Sequence, residues 1–107
     1  MDTRQFMKYE ARSRVIKALA HPARLMIVDE LARHEERCVC ELTELVGSDM
    51  STVSRHLAQL KEAGIVAVEK RGQMVFYRLR VKCLPKFFEC IESVIRSNAK
   101  CQQELLA

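Results

Sequence analysis

Glycine, proline and tryptophan are the scarce residues of this 107-residue chain: three, two and none. So few breakers leave no material for a flexible linker, a collagen-like repeat or long irregular loops, and the chain reads as one unit of closely spaced elements. No apolar run approaches the roughly 18 residues that a membrane span requires. Nothing at the start resembles a secretory leader, so the expectation is a soluble, cytoplasmic protein with no membrane partner. Enzymatic signatures are missing as well. There is no glycine-rich loop to cradle phosphate, no Cys-x-x-Cys redox pair, no paired carboxylates and no Ser/His/Asp spacing, which argues against an enzyme. Cysteines number five. An odd number without a leader argues against a disulfide framework and for reduced thiols that need another explanation.

What is present is globular in composition, 49% hydrophobic and 30% charged, with a modest net charge of +4. That charge is unevenly distributed. Residues 1–47 and 83–107 are each neutral, whereas 48–82 hold Arg55, Lys61, Lys70, Arg71, Arg78, Arg80 and Lys82 against Asp49, Glu62 and Glu69. One local basic footprint points to a polyanionic partner.

Gly47, Gly64 and Gly72 fall between periodic segments. Residues 4–19 read as a helix with Phe6, Tyr9, Val15, Ile16 and Leu19 available for burial. Pro22 opens a second, with Leu25, Ile27, Val28 and Leu31 as its apolar face, and the charged run Arg33 to Arg37 closes it. A short helix from Cys38 turns Leu42, Leu45 and Val46 inward and stops at Gly47, and Asp49 is placed to cap the next, residues 50–63, with Val53, Leu57 and Leu60 inward. Two short helices joined through a glycine make a helix-turn-helix. The outer face of its second helix carries Ser51, Thr52, Ser54, Arg55, His56 and Gln59, side chains suited to base edges and phosphates in a major groove. Residues 65–70 and 73–79 then read as a β-hairpin turning at Arg71-Gly72, with Lys70, Arg71 and Gln73 at its tip. Pro85 opens a last helix, to about residue 105, with a stripe of Phe87, Phe88, Ile91, Val94 and Ile95. This is more apolar face than one small core uses, so the first and last helices are expected to dimerise.

The segments Leu19-Ala20-His21-Pro22-Ala23-Arg24-Leu25, Cys38-Val39-Cys40-Glu41-Leu42 and residues 51–66, beginning Ser51-Thr52-Val53-Ser54-Arg55-His56-Leu57, resemble the ArsR/SmtB metal- and metalloid-sensing repressors over nearly the whole chain. The third is highly specific and the first supporting. The resemblance implies a mainly α fold with a β-hairpin wing (α+β), a homodimeric winged helix-turn-helix of order ααααββα. Residues 1–107 would be a single domain, with 41–64 the helix-turn-helix, 66–80 the wing, and 1–20 and 84–106 the dimerisation helices. It also implies a repressor that binds double-stranded operator DNA without a cofactor and releases it when an effector occupies thiols. DNA-reading positions would be Ser51, Thr52, Ser54, Arg55, His56 and Gln59, with Lys70, Arg71 and Gln73 in the wing; His56 equally suits a structural role beside Leu57.

Cys38 and Cys40 are the first candidate site. Two thiols at i and i+2 of a regular helix diverge by about 200°, so a shared centre needs the chain unwound here, which would couple occupancy to the helix supporting the reading helix. The pair resembles the family's arsenic-type site, in which a third cysteine follows three residues on; Thr43 stands there. Inducers consistent with two thiolates are arsenite, antimonite with a further ligand, or methylarsenite, which already carries one carbon bond. The rival site is Cys83 with Cys101. These lie roughly 27 Å apart along one helix, and would meet between subunits if antiparallel last helices crossed near residue 92. Cys90 is expected to pack on the helix face. The family's zinc and nickel sites fit less well, because no histidine follows His56, and its cadmium and lead site lacks N-terminal cysteines. His21 and His34 sit where helix ends place solvated histidines. The alternatives are a thiol redox-sensing repressor, or a cadmium-, lead- or zinc-type sensor of the same family.

Overall fold

Capping chemistry sets most helix ends in the computed structural model, which describes residues 1–106. α1 (Thr3–Leu19) follows Asp2, whose carboxylate accepts the Gln5 N–H at 2.8 Å. α2 (Pro22–Arg33) has proline in its first turn, and His21 Nδ1 accepts the Ala23 N–H at 3.0 Å. A two-residue strand, β1 (Arg37–Cys38), leads directly into α3 (Val39–Val46), which ends at Gly47 in the left-handed conformation, φ 77°. After Asp49 comes α4 (Met50–Glu62), then β2 (Val66–Arg71), β3 (Met74–Leu79) and α5 (Leu84–Leu106).

The core gathers Ile27, Val28 and Leu31 of α2, Leu42 of α3, Val53, Leu57 and Leu60 of α4, and Ile65, Val66, Leu79 and Leu84. Each such side chain contributes about 1.5–3 kcal/mol by leaving water, and together they fix α3 and α4 against the sheet. This is the expected winged arrangement of four helices, a hairpin and a last helix, with one addition.

The addition is β1. The sheet is antiparallel in the order β1-β3-β2, with Arg37 opposite Tyr77 and Cys38 opposite Phe76. Cys38 therefore lies in extended backbone as the N-cap of α3, φ −80° and ψ 161°, rather than inside the helix. The hairpin turn also sits one residue later than expected. Arg71 pairs with Met74, so Gly72 and Gln73 form the turn and Gly72 takes φ 63°.

Several apolar residues expected to be buried stay exposed in the single chain. Of α1 only Ala18 and Leu19 are buried, while Phe6 is 55% exposed; Leu25, Leu45, Phe87, Ile91, Val94 and Ile95 are exposed too, the last at 61%. An apolar groove of about 400 Å³ runs between α1, α2 and the first half of α5, lined by Ile16, Leu19, Leu25, Phe87, Phe88 and Ile91. The radius of gyration is 16.7 Å, against about 13 Å for a compact chain of this length. The excess agrees with the extended 56 × 44 × 23 Å outline.

Candidate nucleic-acid interface and thiol sites

The sequence Gly47-Ser48-Asp49 turns the chain from α3 into α4 and puts Asp49 at the N-terminus of the second helix. Its carboxylate accepts the Thr52 N–H at 3.2 Å and the Thr52 hydroxyl at 2.6 Å, and it also accepts the Ser51 hydroxyl. The Ser51 hydroxyl and the Thr52 hydroxyl and N–H hold this carboxyl far below the ordinary carboxylate range. Ser51 and Thr52, expected to face DNA, thus spend their hydroxyl protons on the cap and keep only lone pairs to offer. Ser54, Arg55 and Gln59 are exposed on the same helix, with Arg55 Nη2 donating to Thr52 Oγ1 at 3.3 Å.

His56 is half-buried, and Arg24 Nε donates to its Nδ1 at 3.0 Å. Burial, then the charges of His21, Arg24 and Arg55, lower its pKa from the ordinary 6.5. Arg24, Thr52, Arg55, His56, Ala58 and Gln59 line an open groove of about 360 Å³. Arg24 is the residue that sequence reasoning missed. A signal existed: it lies in the first turn of α2, where the helix dipole disfavours a cation, so something else must hold it there.

On the hairpin, Lys70, Arg71 and Gln73 are all exposed. They differ in freedom. The Arg71 guanidinium lies 3.8 Å over the Phe76 ring and forms an ion pair with Glu36, from the segment before β1. One ion pair and a stacking contact thus orient it, while Lys70 and Gln73 form no such pair among the described residues.

The five cysteines are free thiols. Cys38 is 5% exposed and Cys40, the second residue of α3, is exposed. Cys38 and Glu41 take a capping-box arrangement: the Glu41 carboxylate accepts the Cys38 N–H at 3.1 Å and an Arg37 Nη1–H at 3.2 Å. The Cys38 N–H, the Cys38 thiol and the nearby charge of Arg37 keep the Glu41 carboxyl below its ordinary value. Thr43, in place of a third cysteine, donates its hydroxyl to the Val39 carbonyl oxygen at 2.7 Å and is engaged within α3. Cys83, Cys90 and Cys101 are exposed; Cys90, expected to pack, does not pack within this chain. α5 runs unbroken between Cys90 and Cys101, so one chain does not bring these thiols together. Among the described residues no three histidine, cysteine or acidic side chains converge as a metal centre. His21 and His34 lie at the two ends of α2, the latter 3.6 Å from Glu30.

A capped reading helix behind a glycine turn, followed by a basic hairpin on one shared core, defines a winged helix-turn-helix DNA-binding protein. The bacterial regulatory protein, arsR family, matches residues 21–68. The arsenic resistance transcriptional regulator ArsR1 of Pseudomonas putida is 38% identical over 93 residues, covering 87% of this chain and 70% of the relative. The homodimeric winged helix-turn-helix domain of Mb0332 from Mycobacterium bovis superposes with a TM-score of 0.77 at 29% identity, covering 94% of this chain and 92% of that one. The AntR antimony-specific transcriptional repressor does so with a TM-score of 0.74 at 25% identity, covering 94% and 90%. This chain belongs to the ArsR family of transcriptional repressors.

Proposed function

We propose that this protein is a cytoplasmic homodimeric repressor that binds operator DNA through α4 and the wing and lets go when a trivalent arsenical or antimonial occupies Cys38 and Cys40. ArsR1 is an arsenic resistance regulator and AntR is antimony-specific. The observation that carries the choice of site is the position of Cys38. It lies outside α3 as its N-cap, so no regular helix fixes the two thiols at the divergence expected for this spacing, and bringing the buried Cys38 to the exposed Cys40 requires no helical turn to unwind. Such an effector supplies a soft, thiophilic centre. Only two thiols are offered here, because Thr43 spends its hydroxyl inside the helix, and this donor set suits a mono-organic arsenical best.

To engage a ligand shared with Cys40, the buried Cys38 sulfur has to leave its place. Two sets of contacts depend on that place: the capping box with Glu41 at the start of α3, and the pairing of Cys38 with Phe76 of the wing. The first leads to the helix supporting α4, the second to the ring that carries Arg71. Both halves of the DNA-binding surface are thus tied to one thiol. The groove between α1, α2 and α5 supports dimerisation through residues 1–20 and 84–106, with 41–64 and 66–80 as the helix-turn-helix and wing of a single domain.

Fluorescence anisotropy of a bound operator duplex tests this, with arsenite, antimonite and methylarsenite titrated into wild type, Cys38→Ser, Cys40→Ser and Cys83→Ser. Loss of release in the first two variants is expected. Loss only in Cys83→Ser transfers the site to Cys83 and Cys101, and release by peroxide alone marks a redox sensor.

A further inference from the structure

One side chain of the reading helix is held by a residue from another helix. Arg24 of α2 donates from Nε to His56 Nδ1 at 3.0 Å, and from Nη1 to the Ala18 carbonyl oxygen at 3.2 Å. The second bond fastens the guanidinium to backbone near the end of α1, so the first comes from a fixed base. The His21 ring lies beside that of His56, with centroids 4.3 Å apart and the planes tilted by 45°, and is itself held by the Ala23 N–H on its Nδ1. A guanidinium only donates hydrogen bonds. His56 Nδ1 therefore carries the lone pair, and the ring proton resides on Nε2. Nε2 has no hydrogen-bond partner among the described residues, and no buried side-chain nitrogen or oxygen there lacks one, so this N–H is open to solvent.

We propose that Arg24 is a positioning residue for DNA reading: it fixes the tautomer and orientation of the His56 ring, so that α4 presents an Nε2–H donor to an acceptor on DNA, a purine N7 or a phosphate oxygen. The inference rests on the reading of His56 as part of the DNA-binding face. Neutrality of the ring is part of the arrangement. Protonation would put a hydrogen on Nδ1 against the Arg24 donor, with the charges of Arg55 and His21 close by, and the direction of the His56 pKa agrees. Arg24 thereby acts twice, as an obligate donor that selects the tautomer and as a brace that sets the ring plane.

The test uses a duplex selected from a random-sequence library by repeated binding to the wild-type protein. Long-range proton–nitrogen NMR correlation of the imidazoles in the full-length protein is expected to show His56 with its proton on Nε2, and Arg24→Lys to give a mixture of tautomers. Arg24→Lys is expected to weaken the selected duplex about tenfold, the scale of one directed base contact. In the His56→Gln background, whose amide reaches the Nε2 position without help, the same substitution should cost less than about twofold. A proton on Nδ1 in wild type, or equal losses in both backgrounds, overturns the positioning role. If His56→Ala binds the duplex as wild type does, the assignment of His56 to DNA fails and the inference with it. A full loss in His56→Ala without coupling to Arg24 refutes only the positioning role. Duplexes carrying 7-deazapurines separate the two acceptors: weakened binding identifies a purine N7, and unchanged binding with the coupling intact identifies a phosphate oxygen.

Discussion

Replacing Cys38 by serine should remove a thiol without unfolding the protein, whereas alanine should not be so mild. Cys38 is 5% exposed, and its side chain occupies the N-cap of α3 opposite Glu41. Sulfur is a weak acceptor. A serine hydroxyl caps better, and the difference between a good cap and alanine is about 1 kcal/mol. Exchanging buried sulfur for oxygen costs about the same, on the scale of roughly 0.8 kcal/mol for a buried methylene. The two effects offset in serine. Alanine loses the buried sulfur and gains no cap, a net cost of about 1–1.5 kcal/mol. For a domain of this size that lowers Tm by roughly 4–8 °C. Thermal unfolding followed by circular dichroism should therefore place Cys38→Ser within about 2 °C of wild type, with Cys38→Ala clearly below both. Equal depression of Tm in the two variants would refute the capping argument. It would also mean that loss of effector response in Cys38→Ser reports damage to the fold rather than a missing thiol.

Three further outcomes are expected. His56 takes up a proton near pH 6.5 when unfolded but only at lower pH when folded, so between those values the unfolded chain holds more protons and stability falls as pH falls; urea unfolding from pH 7.5 to 5 should show a shallower decline in His56→Gln than in wild type. Glu36→Gln should release Arg71 from its ion pair, tighten DNA binding, and steepen the salt dependence of log K by up to about one phosphate contact, as measured by anisotropy at stepped potassium chloride; an unchanged slope would show that the pair already leaves Arg71 available. Ile91→Asp, on the uncovered groove of α5, should convert the dimer to a monomer in sedimentation equilibrium while leaving the helical circular dichroism intact, and a persistent dimer would place the interface elsewhere.

The sequence legibly marks the reading module because its signals are local. Gly47 in the left-handed conformation and Asp49 on Thr52 act within a few residues of themselves, and Val53, Leu57 and Leu60 repeat along one helix that the core covers. β1 gives no such signal. Two residues, Arg37 and Cys38, are too few to alternate, and they are a strand only because Tyr77 and Phe76 lie opposite. The same limit hides the roles of individual side chains. Residue type makes Arg71 a DNA contact, but Glu36 and Phe76 hold it in the folded chain, and residue type leaves His56 ambiguous until Arg24 is seen on its Nδ1. Periodicity finds the apolar stripes of α1 and α5 but not what covers them, since an exposed Ile95 and a buried Leu57 look alike in a helical repeat.

The short ladder between β1 and β3 turns everything from Val39 to Val75 into a closed loop with a clasp at its neck. Both parts proposed to contact DNA, α4 and the tip of the hairpin, hang from that loop, one on each limb. A clasp of two residues is small enough for the proposed event at Cys38 to undo, which would loosen the neck that both limbs share while the core and the β2–β3 ladder still hold each limb folded. On the proposed site, the reading helix and the wing lose one shared tie, so loss of DNA binding should come as one step, in proportion to the fraction of chains opened rather than by gradual loosening of each.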